Sequence, residues 1–134
     1  MSSSRSLTDL QPSVRMMAQA FLAAASAKGI ELLVTCTHRD ATPDQAALYA
    51  QGRTAPGHIV TDAQPGHSAH NFGLALDVVP IVNGKPDWNG ADPIWQTVGE
   101  LGVAAGLQWA GSPGFPFHEL PHFQHPNWRA IAGI

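Results

Sequence analysis

Apolar residues recur every three or four positions near the N-terminus of the chain, at Val14, Met17, Phe21 and Ala24. This spacing places them on one face of a helix, so it predicts an amphipathic helix with that face toward the core. We expect the helix to begin near Ser13 and to end where a lysine and a glycine follow each other, because both residue types favour a helix C-terminus.

Two runs of apolar residues further along the chain predict strands. Residues 30–37 are rich in Ile, Leu, Val and Thr, which indicates a central strand, and residues 74–79 form a second run of this kind. Asn83-Gly84-Lys85-Pro86 then signals a turn. The other predicted elements are a helix at 43–51 behind a capping box at Thr42-Pro43-Asp44-Gln45, a helix at 93–105, and short strands at 107–109 and 122–124.

Two polar segments lie outside these elements. Residues 1–10 are mostly polar, so we expect them to be flexible. Residues 53–67 contain two prolines and two glycines and predict a long loop. Loops of that length in compact domains are more often functional than idle, so this loop is a candidate for part of a binding site.

Composition narrows the class of protein. At 134 residues and 44% hydrophobic, the chain predicts a single domain spanning residues 1–134. Its net charge of -3, without a basic cluster, argues against a nucleic-acid partner. Residues 16–27 are too short and too interrupted for a membrane span, and we do not interpret them as a signal peptide. The single Cys36 rules out an internal disulfide framework and is interpreted as an inert core thiol.

The most informative stretch holds His70 and Asp77, two potential metal ligands seven positions apart. Side chains alternate along a strand, so an odd separation would place this pair on opposite faces if the segment were extended. Asn71 and Gly73 are residue types that allow the chain to turn between them. Asp77 then lies within an apolar strand, where a carboxylate requires a cation or hydrogen-bond donors.

A second group of metal-binding residue types lies near the C-terminus, at His118, Glu119, His122 and His125. A catalytic zinc ion takes three protein ligands and keeps a fourth position open for water. His70, Asp77 and one of these C-terminal histidines would supply the three. Hydrolysis also requires a carboxylate that accepts the proton of the water, and Glu119 is the candidate.

These residues carry a resemblance to a known family. The stretch from Ser68 to Asp77 resembles the Ser-x-His-x-x-Gly-x-Ala-x-Asp signature of zinc peptidoglycan peptidases, which include D-alanyl-D-alanine carboxypeptidases and phage L-alanyl-D-glutamate endopeptidases. Glu119-Leu120-Pro121-His122 is similar to the second half of that signature. Residues 48–54, 56–61 and 106–109 are similar to further segments of the endopeptidase branch.

The resemblance implies an α+β fold of the hedgehog/DD-peptidase type: a small antiparallel sheet with about three helices packed around it and a zinc site at one edge of the sheet. It implies one catalytic Zn²⁺ held by His70, Asp77 and His122, with Glu119 as the base. Arg39 corresponds to an arginine that stabilises charge on the scissile carbonyl. The flanking residues depart from the family pattern, since His38 replaces a common tyrosine and Asp40 a common serine.

Other residues near these motifs are expected to support the site or to contact substrate. Ser68 is a poor candidate for a nucleophile, because no motif supplies it with a base, and we expect it to fix the loop by a hydrogen bond. Trp109 is interpreted either as core packing or as a wall of the substrate groove. The remaining candidates for support, substrate contact or simple solvation are His67, Gln45, His38, His58, His118 and His125.

The resemblance implies a function in cell-wall degradation: hydrolysis of the bond between L-Ala and D-Glu in the peptidoglycan stem peptide. The alternatives are a D-alanyl-D-alanine carboxypeptidase and a non-catalytic zinc module that binds the cell wall. We expect a monomer without a separate wall-binding domain. Without an export signal, it would accumulate in the cytoplasm and need a separate holin-type pore to reach the wall, as an endolysin of a phage or prophage does.

Overall fold

The computed structural model describes residues 3–134, in which four helices surround an antiparallel sheet of five strands. This confirms the predicted α+β class and small antiparallel sheet, with one helix more than expected. The helices are α1 (Pro12–Ala27), α2 (Ala46–Ala50), α3 (Ile94–Ala104) and α4 (Trp128–Ala132). The strands are β1 (Glu31–Cys36), β2 (Ala75–Val82), β3 (Lys85–Pro86), β4 (Gln108–Trp109) and β5 (His122–Gln124).

The sheet has the strand order β1-β2-β5-β4, with β3 also pairing with β2. β1 was predicted to be central, but it lies at the edge and β2 occupies the middle. The physical reason is burial: Leu76, Val78 and Val79 of β2 are fully buried, whereas Leu33 of β1 is 38% exposed. A run of apolar residues does not by itself distinguish these two positions, because an edge strand can also cover the core with one face.

The turn after β2 follows directly from its sequence. Asn83 and Gly84 both have positive φ, at 53° and 75°, and they join β2 to β3 as a two-residue hairpin. Asparagine and glycine are the residue types that adopt such angles at low cost, so the predicted turn is confirmed.

The core lies between the sheet and the two longer helices. α1 buries Val14, Ala18, Phe21 and Ala25, a helical stripe close to the predicted one. Phe21 meets Phe123 of β5 with their ring centroids 4.6 Å apart. The inner face of α3 contains Trp95 and Val98 and also two glycines, Gly99 and Gly102, where an added Cβ would meet the rings of Trp109 and Phe123 at 2.3 Å.

Two predicted local features differ in the structure. Thr42 is extended, and the regular part of α2 begins only at Ala46, after an irregular turn at Ala41–Gln45. The side chain of Gln45 donates to the Ala63 carbonyl, so it does not act in the expected capping box. α4 was not predicted. It packs through Trp128, whose ring centroid is 6.1 Å from that of Phe72.

The N-terminal segment is attached to the body of the fold. Residues 1–10 were expected to be flexible, but from residue 3 onward they form defined contacts; Met1 and Ser2 lie outside the described residues. The Thr37 amide donates to the Ser4 carbonyl at 2.7 Å, and Leu10 is buried in the core. These hydrogen bonds and the burial of an apolar side chain explain the order of this segment. Among the described residues, no helix is long and apolar enough to cross a bilayer.

Candidate metal centre

Asp77 lies near the start of β2, between two strands that place potential metal ligands beside it. In the antiparallel register it is paired with Cys36 of β1 on one side and with His122 of β5 on the other. Residues directly opposite each other across strands point to the same face of a sheet. The pairing of β2 with β5 therefore brings the mid-chain motif to the C-terminal one.

His70 reaches the same place through a short 3-10 helix, Ala69–Phe72. Ser68 caps this helix by accepting a hydrogen bond from the His70 amide at 3.3 Å, and Asn71 completes the capping box. Gly73 follows with a φ of 67°, and a Cβ there would lie 2.8 Å from the Asp9 carbonyl oxygen. The chain thus turns between His70 and Asp77 at the glycine, as the spacing predicts.

Three candidate ligand atoms converge at this point. His70 Nε2 lies 3.1 Å from Asp77 Oδ1, His122 Nδ1 lies 3.2 Å from the same oxygen, and the two nitrogens are 3.2 Å apart. Ligands about 2.0–2.1 Å from a tetrahedral zinc ion lie roughly 3.3–3.4 Å from one another. The triangle formed by His70, Asp77 and His122 is therefore close to one face of a zinc tetrahedron.

The hydrogen bonds on the far sides of the two rings fix which nitrogen carries a proton. His70 Nδ1 lies 2.8 Å from the Thr37 carbonyl oxygen, which only accepts, so this nitrogen carries hydrogen. His122 Nε2 donates in the same way to Gln124 Oε1 at 2.8 Å. When both rings are neutral, their remaining nitrogens direct lone pairs toward the Asp77 carboxylate. Three such acceptors at this separation require a cation among them.

The pKa values of His70 and Asp77 agree with the need for a cation in the triangle. Although burial lowers the pKa of His70, the carboxylate of Asp77 raises it, to about 10. Burial raises the pKa of Asp77, but the charge of His70 and the hydrogen bond with His122 hold it well below its usual range. A proton on His70 is thus the cation that the metal-free site retains, and a divalent metal ion would displace it. The donor set of two imidazoles and one carboxylate fits zinc.

Glu119 and Arg39 flank this triangle. Burial raises the pKa of Glu119, which also lies in the field of Asp77 and of the two histidines. Arg39 Nη2 is 3.7 Å from Asp77 Oδ2, and Arg39 Nη1 donates to Gln45 Oε1 at 3.1 Å. The neighbouring carboxylate of Asp40 could also have paired with Arg39, but Asp40 Oδ1 lies 3.7 Å from His38 Nδ1 instead.

Gln45 and Cys36 lie behind the site. Gln45 is completely buried and binds the Ala63 carbonyl at 2.8 Å, so it holds Arg39 against the loop at 53–67. Cys36 Sγ is 3.7 Å from His70 Nδ1 and 3.5 Å from Arg39 Nη2. Cys36 is buried, as expected, but its contact with the site was not predicted, because only the register between β1 and β2 places it there.

A cavity of about 1060 Å³ opens in front of these residues. Its walls include the proposed ligands together with other residues predicted from sequence, namely Arg39, His67, Ser68, Trp109 and Glu119. Trp109 also belongs to the core, since its Nε1 donates to the Leu120 carbonyl at 2.7 Å and its ring stacks on Phe123. The sequence did not indicate Gln108 and Gln124, which line the cavity as well.

Comparisons with known proteins agree with this geometry. The chain is 37% identical over 126 residues to the peptidoglycan L-alanyl-D-glutamate endopeptidase CwlK of Bacillus subtilis, a match covering 87% of this chain and 74% of CwlK. Two solved structures share the fold at low identity. The L-Ala D-Glu endopeptidase ChiX of Serratia marcescens has a TM-score of 0.68 and 17% identity, covering 94% of this chain and 86% of ChiX.

The second solved structure is a mutant of the vancomycin resistance D,D-pentapeptidase VanY in complex with Zn(II). Its TM-score is 0.61 at 18% identity, covering 93% of this chain and 79% of that protein. The family model for VanY, D-alanyl-D-alanine carboxypeptidase, matches residues 7–101, a segment that includes Arg39, His70 and Asp77. The resemblance drawn from the motifs is thereby confirmed, and the chain belongs to the VanY family of D-alanyl-D-alanine carboxypeptidases.

Proposed function

We propose that this protein is a zinc-dependent peptidoglycan peptidase that hydrolyses the bond between L-Ala and D-Glu in the stem peptide. The observation that carries the proposal is the convergence of His70 Nε2, Asp77 Oδ1 and His122 Nδ1 within 3.2 Å in a cavity that also presents Glu119. The 37% identity to CwlK, an L-alanyl-D-glutamate endopeptidase, supports this choice of bond.

We assign zinc to the triangle of His70, Asp77 and His122. The Zn(II) bound to the VanY D,D-pentapeptidase supports this choice of metal. A zinc ion bound there would lower the pKa of a water molecule toward about 7 and polarise the scissile carbonyl. The three residues hold the ion, and the hydrogen bonds to Thr37 and Gln124 keep the two rings in the orientation that binding requires.

Glu119 and Arg39 carry the remaining steps. Glu119 accepts a proton from the water as its oxygen forms a bond to the carbonyl carbon. Glu119 then returns the proton to the amide nitrogen as the C–N bond breaks. Burial raises its pKa, which suits a group that both takes and gives a proton near neutral pH. Arg39, held by Gln45, donates hydrogen bonds to the carbonyl oxygen as negative charge develops there.

We place substrate against His67 and Trp109 and assign Ser68 and Gln45 to support. His67 is exposed in the cavity, so its ring is accessible to a peptide. Ser68 and Gln45 are buried and already engaged, one with the His70 amide and the other with Arg39 and Ala63.

Digestion of purified peptidoglycan tests the proposed bond. The products are separated and their new termini identified by mass spectrometry. We expect new amino groups on D-Glu and new carboxyl groups on L-Ala. Release of free D-alanine would instead favour the carboxypeptidase activity that the matching family model is named for. A protein that binds zinc and peptidoglycan but produces neither product would be a non-catalytic wall-binding module.

The wider biological role is part of the same proposal. Helices α1 and α3 and the sheet enclose one core, which supports a single peptidase domain over residues 1–134. We propose a monomer that acts as an endolysin of a phage or prophage, reaching the wall through a holin-type pore. Expression in bacteria with and without a pore-forming protein tests this role, and lysis should require both proteins.

A further inference from the structure

Two glutamine side chains extend the hydrogen bonding behind His122, and neither belongs to the sequence motifs. His122 and Gln124 are two residues apart on β5, so they share one face of the sheet. Gln108 of β4 is directly opposite Gln124 in the antiparallel register. His122 Nε2 donates to Gln124 Oε1 at 2.8 Å, and Gln124 Nε2 donates to Gln108 Oε1 at 2.9 Å.

In both hydrogen bonds the donor lies on the His122 side and the acceptor on the Gln108 side. Gln108 accepts from the amide nitrogen of Gln124, which leaves the amide oxygen of Gln124 facing His122. An oxygen accepts only, so His122 must carry its proton on Nε2 and leave the lone pair on Nδ1. Gln124 is 9% exposed, whereas Gln108 is exposed at the cavity wall. The buried Gln124 amide is therefore linked by a hydrogen bond to a residue at the surface.

The alternative state of His122 shows why this matters. Its Nδ1 lies 3.2 Å from Asp77 Oδ1, which is within hydrogen-bonding distance. If the proton moved to Nδ1, His122 would donate to Asp77 and the lone pair would face away from the triangle. The ring would then block the site instead of completing it.

We propose that Gln124, oriented by Gln108, is a positioning residue that holds His122 in its metal-binding tautomer. The inference rests on the proposed zinc site and adds to it the residues that decide whether His122 is a ligand. A neutral amide performs this task without adding negative charge beside Asp77. Hydrogen-bonding partners of metal-bound histidines affect metal affinity by about 10–100-fold.

Zinc affinity of the metal-free protein, measured by competition with a chromophoric chelator, tests the proposal. Gln124→Leu removes the acceptor at similar size and should weaken zinc binding by about 10–100-fold. Gln124→Glu keeps an acceptor oxygen toward His122 and should retain the wild-type affinity. Gln108→Leu, at an exposed position, should weaken binding in the same direction because the Gln124 amide is free to turn. Gln96→Leu is the matched control: Gln96 is an exposed glutamine on α3, bonded to Glu100, and its loss should leave the affinity unchanged.

A second measurement does not depend on any variant or on zinc. Nitrogen-15 NMR of the metal-free wild-type protein distinguishes the two neutral tautomers of a histidine ring. We expect the proton of His122 on Nε2, with Nδ1 unprotonated. A proton on Nδ1 would overturn the proposal, and so would wild-type zinc affinity in Gln124→Leu.

The two proposals fail in different ways. If the wild-type protein binds zinc and cleaves peptidoglycan while Gln124→Leu binds zinc equally well, the role of Gln124 is wrong and the proposed function stands. If the wild-type protein binds no zinc, the proposed function is wrong, and the tautomer of His122 still decides the role of Gln124.

Discussion

His70 Nε2 and His122 Nδ1 lie 3.2 Å apart, although 52 positions separate the two residues in the sequence. The pairing of β2 with β5 brings them together, with Asp77 directly opposite His122. Once the outer hydrogen bonds to Thr37 and Gln124 are made, the neutral forms of both rings direct lone pairs at each other and at Asp77, so a proton on His70 or a metal ion must lie among them. The contact is therefore explained by a cation that all three side chains share.

The first prediction concerns the metal. The wild-type protein should bind one zinc ion. His122→Ala loses a ligand, so its zinc affinity should fall by more than about 100-fold, which is the largest loss expected when only a ligand's hydrogen-bonding partner is removed. Zinc at about 100 times its dissociation constant adds about 2.7 kcal/mol of stability, so it should raise the Tm of the wild-type protein and not of the variant. Metal analysis and thermal unfolding check this. His125→Ala is the matched control: the His125 ring accepts a hydrogen bond from the Asn127 amide and does not line the cavity, so zinc should raise the Tm of this variant as it does that of the wild type.

The second prediction concerns Glu119. Glu119→Gln keeps the size of the side chain and removes the base, so turnover should fall by about 10²–10⁴-fold while the zinc content is unchanged. In the metal-free protein, burial raises the pKa of the Glu119 carboxyl above 4.5, so its titration midpoint should lie above that value. Product release from peptidoglycan measures the first effect, and carbon-13 NMR of the metal-free protein at several pH values measures the second. Unchanged activity in the variant would contradict the mechanism.

The third prediction concerns Arg39. Arg39→Ala should lower kcat by about 10²–10³-fold, the range for loss of one donor to a developing oxyanion. Gln45→Leu should reproduce part of the loss, because Gln45 holds the guanidinium at 3.1 Å. Arg53, an exposed arginine that lies over the ring of Tyr49, provides the control Arg53→Ala. Equal kcat in Arg39→Ala and Arg53→Ala would remove Arg39 from the mechanism.

The fourth prediction concerns the metal-free protein at alkaline pH. The folded protein raises the pKa of His70 from 6.5 to about 10; burial opposes this rise and Asp77 causes it. Such a group contributes stability that is complete below its unfolded pKa and is lost as pH rises through the folded pKa. The Tm of the metal-free protein should therefore fall between about pH 6.5 and 10. In His70→Gln the fall should be smaller; an equal fall would show that other groups cause it.

Asp77 changes the stability with pH in the opposite direction to His70. Burial raises the pKa of Asp77, but the charges and hydrogen bonds of His70 and His122 together outweigh burial and hold its folded pKa well below the usual range. Its contribution is therefore present above the unfolded pKa and is lost only as pH falls through the lower folded value. The pair of His70 and Asp77 should stabilise the metal-free protein most in mildly acidic solution.

The fifth prediction concerns Gly73, which turns the chain between His70 and Asp77. Gly73 has a φ of 67°, and a residue with a side chain adopts this conformation at a cost of about 1–2 kcal/mol. An added Cβ would also lie 2.8 Å from the Asp9 carbonyl oxygen. Gly73→Ala should therefore lower the free energy of unfolding by more than Gly84→Ala, whose φ is 75° but whose Cβ would meet open space. Urea unfolding of both variants measures the difference, and equal losses would show that the contact with Asp9 is harmless.

Features that depend on neighbours in sequence were predictable. The spacing of Val14 and Phe21 predicts α1, and Asn83-Gly84 predicts the hairpin, because helix periodicity and turn angles are properties of a few consecutive residues. The turn at Gly73 followed from the odd separation of His70 and Asp77 in the same way. α4 was not predicted, since it is held by the packing of Trp128 against Phe72 in a distant part of the chain.

The sequence by itself determined the types of side chain that can form a hydrolytic site and the motifs that group them into two segments. Only the tertiary structure decided that β2 lies between β1 and β5, and with it the contacts of Asp77 with His122, of Cys36 with His70 and of Gln124 with Gln108. The physical reason is that strand order and register are set by burial and hydrogen bonding between segments far apart in the chain. No local pattern records which strand a given residue will face.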